Sequence, residues 1–215
     1  MSDSNSPDDL SGPLDRPTFV SPPSRRPAPP RNLFPWFLTL DDVRQEFGGK
    51  LDWDSFFPRP APVRLDIGSG RGLFLTNAAI AKPEFNWLGI EIDFKEGRRA
   101  ATRLFKRKLP NARVLGGDAK VPLTEMIAPR SVDEVHVYFP DPWWKKRHRK
   151  RRVFNEEFVD LCAKVLRPGG LLHSWTDVAE YFGVISELIN GHAEFVTLAT
   201  GTARRRARSR LPDEL

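Results

Sequence analysis

The chain of 215 residues contains a single cysteine, Cys162, which excludes an internal disulfide and points to a reducing compartment. Long apolar runs are missing as well: none reaches the roughly 18–20 residues that a membrane helix needs, so no membrane partner is expected. The first residues carry no basic and apolar blocks of a secretory leader, and a cytoplasmic protein is the expectation. Histidine is scarce, four in all. His148 has neither a carboxylate partner nor metal-ligand spacing near it in sequence; it is assigned no role as base or ligand, and no metal is expected. Acidic residues are outnumbered, 28 against 34 Lys and Arg, for a net charge of +6. That excess is local. Residues 145–152 read Lys-Lys-Arg-His-Arg-Lys-Arg-Arg, and Arg204, Arg205, Arg206, Arg208 and Arg210 form a second cluster. Clustered positive charge points to a polyanionic partner, with a solvated basic tail as the plain alternative for the second cluster.

Eight of the 20 prolines fall in the first thirty residues among Ser, Asp and Arg, so 1–30 reads as a disordered arm with little to bury. Apolar sequence resumes at 33–37, and aromatic residues scattered over 43–57 are expected to pack on the main domain, drawn as 31–200, ahead of a basic tail at 201–215. From about residue 61 strand and helix signals alternate. Strands are expected at 63–67, 87–92, 113–115, 132–139, 171–175 and 194–200, and helices at 73–80 and 94–109. Asn155 is placed as the cap of a helix stopped by Arg167-Pro168-Gly169-Gly170, and Asp177 as the cap of a helix ending near 190–191. This order predicts an α/β fold, doubly wound, with a mostly parallel sheet and helices on both faces.

Ligands of open parallel sheets bind beyond the carboxyl ends of the strands. Those ends here read Asp66-Ile-Gly68-Ser-Gly70-Arg-Gly72, Gly89-Ile-Glu91, Gly117-Asp118-Ala119, Phe139-Pro140-Asp141-Pro142 and Trp175-Thr176-Asp177. Each delivers a carboxylate to one edge. The glycines allow a sharp turn and close approach to a ligand, but their spacing is not that of a dinucleotide fingerprint. Asp66 before them suits a cationic or amino-bearing ligand better than a pyrophosphate. Glu91 is placed to accept from ribose hydroxyls, and Asp118 from an exocyclic amine. Each acid taken singly could equally be a cap or a surface carboxylate.

The segment from Asp66 to Ala119 resembles the class I S-adenosylmethionine-dependent methyltransferases, with a Rossmann-like sheet over about residues 61–200. The resemblance implies S-adenosylmethionine held by Asp66, Gly68, Gly70, Glu91, Asp118 and Ala119. Residues 137–152, Val-Tyr-Phe-Pro-Asp-Pro-Trp-Trp-Lys-Lys-Arg-His-Arg-Lys-Arg-Arg, are more specific. With Val153-Phe154, Leu166-Arg-Pro-Gly-Gly170 and Thr176-Asp177 they resemble the tRNA (guanine-N7-)-methyltransferases in order and spacing. That resemblance implies methylation of a guanine N7 in the variable loop of tRNA, Asp141 as the catalytic residue, and Lys145 and Asp177 as substrate contacts. The residues themselves agree: two prolines fix the backbone around Asp141, and Trp143 offers a flat face to a base. Lysines and arginines of 145–152, Arg147 and Arg151 among them, are expected on phosphates. No clear counterpart of the family's Thr-x-Phe/Tyr-Glu motif precedes Leu215, so the last strand is expected to be absent or the C-terminus divergent. An RNA-binding protein with weakened catalysis is therefore the alternative. Oligomeric state cannot be read from the sequence.

Overall fold

The computed structural model of the chain describes residues 32–143, 147, 152–199 and 201–205. The expectations for the arm at 1–30, for Lys145 and Arg151, and for everything from 206 on lie outside the described residues. At the centre is β2 (Val63–Ile67), buried along its whole length and paired in parallel with β3 (Asn86–Glu91) on one side and β5 (Val132–Tyr138) on the other. Although the sheet is covered on both faces, β2 (Val-Arg-Leu-Asp-Ile) and β5 (Val-Asp-Glu-Val-His-Val-Tyr) mix apolar with polar residues, and Arg64, Asp66, Asp133 and His136 are buried among them. Outward from β3 come β4 (Ala112–Gly116) and, at the edge, β1 (Phe37–Thr39). Outward from β5 come β6 (Leu166–Trp175), then β8 (Thr202–Arg205), and at the far edge β7 (Phe195–Ala199). The order is β1-β4-β3-β2-β5-β6-β8-β7, parallel except where β8 runs against β6 and β7.

Helices α3 (Leu73–Ala81) and α4 (Phe94–Lys106) cover one face of β3 and β4. Leu75, Ala79, Ala100, Ala101 and Leu104 pack there on Trp87, Ala112 and Val114. The opposite face carries the larger core. There α5 (Glu156–Val165), α6 (Ala179–Gly191), α1 (Leu40–Glu46), α2 (Trp53–Phe56) and a π-helical turn (Pro122–Met126) enclose Leu65, Ile67, Leu88, Ile90, Val135, Val137 and Leu172. Leu33 and Phe37 join the first core and Val43, Phe56 and Phe57 the second, so the aromatic stretch before the first expected strand does pack on the domain.

Caps follow local chemistry. Thr39 and Asp42 form a reciprocal box on α1, Asp93 accepts from Lys95 N and Glu96 N on α4, and Asn155 accepts from Phe158 N at 2.9 Å on α5. On α6 the expectation fails: Val178 stands at the cap without a side-chain bond, and the nearby hydroxyl of Thr176, not Asp177, accepts from Val178 N. The helix α5 does stop before Arg167, but β6 begins five residues earlier than expected. Its pairing steps from Val132↔Leu166 to Glu134↔Leu171, so residues 167–170 form a bulge, with Arg167 Nε bonded to Asp133. The last strand is present. Residues 202–205, counted with the tail on sequence, form β8, and Ser174 N donates to Gly201 O at 2.7 Å. A Cβ on Gly201 would lie 2.5 Å from Ser174 O, so only glycine lets the chain turn that close to β6.

Candidate active site

Strands β2, β3, β4 and β5 end at one edge of the sheet, and the residues just beyond them enclose a cavity of about 690 Å3. Gly68, Glu91, Asp118, Ala119, Asp141 and Trp143 line it, which brings together six of the residues singled out on sequence. Gly70 is tied to this wall, its N–H donating to Glu91 Oε2 at 2.7 Å. Asp66 is buried two residues before Gly68, and Asp177 and Arg147 are exposed; none of the three lines the cavity.

The half built by β2, β3 and β4 is held by backbone. Gly68 and Gly70 have φ of 74° and 51°, where any side chain is strained, and a Cβ at Gly68 would meet nothing within 4 Å. The loop is therefore an open cradle. Gly68 N and Ser69 N both donate to Ile90 O, fastening it to β3. Glu91 accepts from Gly70 N through Oε2 and from Asp93 N through Oε1 at 2.8 Å, which fixes the carboxylate and leaves one lone pair on each oxygen. Asp118 Oδ1 accepts from Lys120 N at 2.9 Å. Under the loop, burial first and the Glu91 charge second push the Asp66 carboxyl up to about 7. Asp66 Oδ2 and Ser69 Oγ are buried with no hydrogen-bond partner among the described residues. Such orphaned atoms are costly, and an amino-bearing ligand is what would pair them. The donor set at the cavity wall thus fits a nucleoside, with lone pairs of Glu91 for ribose hydroxyls and Asp118 for an amine, and Asp66 lies buried beneath the loop as a negative charge for a cationic tail.

The half built by β5 is held by strain and by one arginine. Phe139 and Trp143, at the two ends of Pro140-Asp141-Pro142, have φ of 50° and 40°. Bulky residues in that region cost on the order of 1–3 kcal/mol each and persist only where the surroundings hold them. Phe139 N donates to Trp175 O at 2.7 Å, and Arg152 Nε donates to Pro142 O at 2.7 Å. The Arg152 guanidinium also lies 4.7 Å from the Tyr181 ring centroid. Arg152 ends the basic run that was expected on phosphates; the structure turns it inward onto the loop. Sequence reading also missed Tyr138, Asn155, Glu157 and Phe158, which line the cavity from β5 and the start of α5. A right-handed crossover from β5 to β6 brings the first turn of its helix near the strand end, and that topological signal was available.

A family model described as "Putative methyltransferase" matches residues 60–209. The tRNA (guanine-N(7)-)-methyltransferase of Rhodopirellula baltica is 43% identical over 171 residues, 77% of this chain and 61% of that protein. The enzyme of the same name from Chromobacterium violaceum is 39% identical over 155 residues, 72% of this chain and 69% of that protein. The chain therefore spans about three fifths to two thirds of the length of these relatives. Among solved structures, the antibiotic-resistance methyltransferase Kmr superposes with a TM-score of 0.50 at 18% identity, over 80% of this chain and 94% of that one, a likeness of fold. With the matched residues running from the strand β2 through β8, the chain belongs to the tRNA (guanine-N(7)-)-methyltransferase family.

Proposed function

We propose that this chain transfers a methyl group from S-adenosylmethionine to N7 of a guanine in tRNA, in the variable loop, giving 7-methylguanosine, and that it works in the cytoplasm. The observation that supports the reading best is the single cavity shared by the glycine loop with Glu91 and Asp118 on one side and Asp141 with Trp143 on the other. Held by the glycine loop, Glu91 and Asp118, S-adenosylmethionine would supply a methyl carbon on a sulfonium, open to in-line attack by the free lone pair of guanine N7 with the neutral thioether as leaving group. N7 carries no proton, so no general base is needed, and Asp141, Asp66 and Glu91 have positioning and electrostatic work instead. Glu91 and Asp118 hold the nucleoside, and Asp66 pairs an ammonium. Asp141 accepts from the guanine N–H groups and favours the positive charge that develops on the purine. Trp143 offers a face to the base, and Phe139 and Trp175, joined by the bond from Phe139 N to Trp175 O, are exposed at the ends of β5 and β6. Lys145, Arg147, Arg151 and Asp177 complete the tRNA contacts in this reading.

The test is incubation with unmodified tRNA and labelled S-adenosylmethionine, followed by digestion. Label in 7-methylguanosine is the expected result. A folded protein that binds the cofactor and tRNA yet transfers nothing would leave the weakened, RNA-binding alternative.

A further inference from the structure

The face of β5 opposite Val135 and Val137 carries Glu134, His136 and Tyr138 in strict alternation, and of these Tyr138 also lines the cavity. Strand pairing sets His173 of β6 beside His136, and Thr202 of β8 beside His173. Three side chains converge there. Glu134 Oε2 lies 3.1 Å from His136 Nε2 and 3.6 Å from His173 Nε2, and the three ligand-type atoms fall within 4.8 Å of one another. Two ligands each about 2.0–2.1 Å from a tetrahedral centre stand about 3.3 Å apart, close to the two distances from Glu134; the two imidazoles stack nearly parallel with ring centres 4.7 Å apart, so binding turns their Nε2 atoms toward a shared ion. The far atom of every member is engaged: His136 Nδ1 with the Tyr138 hydroxyl at 2.9 Å, His173 Nδ1 with Thr202 Oγ1 at 3.1 Å, and Glu134 Oε1 with Arg64 at 2.9 Å. Metal-binding imidazoles and carboxylates are oriented in just this way, through the atom that does not face the ion.

We propose that Glu134, His136 and His173 form a binding site for a divalent transition metal of the zinc class, with three protein ligands and a fourth position open to water. Two imidazoles select against magnesium and calcium, which take oxygen ligands. In the tautomer whose Nδ1–H donates to the Tyr138 hydroxyl, His136 Nε2 presents its lone pair on the side of Glu134 Oε2, 3.1 Å away. The His173 side chain is 22% exposed, which gives water and an ion a way in. The ion clips β5 to β6, and through His136 it steadies Tyr138, whose next neighbour Phe139 opens the catalytic loop. This role is structural and independent of the methyl-transfer reading.

The test uses the full chain stripped with chelator. Cobalt(II) titration followed by visible absorption is expected to show one equivalent in a tetrahedral nitrogen and oxygen field, and zinc is expected to displace it and raise Tm. His173→Ala, at a partly exposed position that leaves the core intact, weakens binding by at least about 100-fold, beyond what loss of an orienting partner costs. His192→Ala, at the exposed contact with Asp160, leaves it unchanged. Absence of stoichiometric uptake by the folded wild type, or equal uptake by His173→Ala, overturns the proposal and leaves an ion cluster around Arg64.

Discussion

The two halves of the cavity hold their carboxylates by different means. On the glycine-loop side, Glu91 sits at the end of a central strand and both its oxygens receive backbone N–H groups, so its position is fixed by the fold before any ligand arrives. On the far side, Asp141 stands exposed in an irregular segment bounded by two residues in left-handed backbone and pinned by Arg152. The first arrangement is what recognition of a constant cofactor requires. The second suits a large substrate that must dock and leave, with a carboxylate whose direction depends on loop geometry. If the halves are separable in this way, single substitutions should damage one function and spare the other.

The largest effect is expected at Asp141. Asp141→Ala should lower turnover by about 10²–10³-fold, the range for removing one preorganised electrostatic contact, with cofactor affinity by calorimetry unchanged. Equal loss of both would mean that the two halves are one unit. Next comes Glu91→Ala, which removes the acceptor for two backbone N–H groups and for the ribose. Cofactor Kd should weaken by about 10–100-fold, as for hydrogen bonds to a charged group worth about 1.5–3 kcal/mol, while tRNA binding in a filter assay persists.

This contrast also explains what could be read from the sequence. The glycine-loop half was legible because strand, glycines and acid follow one another locally: Asp66, Gly68 and Gly70, Glu91, and Asp118 all sit at or beside the cavity. Asp141 and Trp143 were legible from their motif. Arg152 was not, because its inward turn onto Tyr181 depends on α6, nearly thirty residues later. The Glu134, His136 and His173 group was missed for a similar reason. Its first two members alternate on one strand, but the third arrives only through the pairing of β5 with β6. The strand β8 was hidden by its arginines: Arg204 and Arg205 look like a tail, yet Arg205 is buried and paired with Glu194. Asp177 read as a cap because it precedes a helix, but the neighbouring threonine took the bond.

A third substitution sharpens the comparison through pH. Without ligand, burial and Glu91 raise Asp66 to about 7 in the folded chain, against an ordinary carboxyl near 3.8. Between those values the folded state holds a proton that the unfolded state has released. Stability from this group is therefore lost as pH climbs from about 4 to 7, and the full penalty stands above 7. Asp66→Asn should raise the ligand-free Tm at pH 8, through a stability gain on the order of 1–3 kcal/mol, and leave it nearly unchanged at pH 4. The same variant should bind the cofactor more weakly at pH 8. A stabilised variant with undiminished cofactor affinity would show that Asp66 serves the fold alone.

The smallest effect expected is at Arg152, and it separates two jobs for one cation. If Arg152 meets phosphate as its place in the basic run suggests, Arg152→Lys keeps the charge and should be nearly silent, while Arg152→Ala should flatten the salt dependence of tRNA binding by about one counter-ion. If it holds the Pro142 carbonyl and stacks on Tyr181, as the geometry has it, lysine cannot replace the planar fork. Arg152→Lys should then cost about 1 kcal/mol of loop stability, seen as a roughly fivefold fall in turnover, with the salt slope of binding the same in all three proteins. The slope decides between the two jobs, because a residue bonded to its own loop releases no counter-ion from the tRNA. An unchanged slope places Arg152 with Asp141, as part of what holds that carboxylate in position.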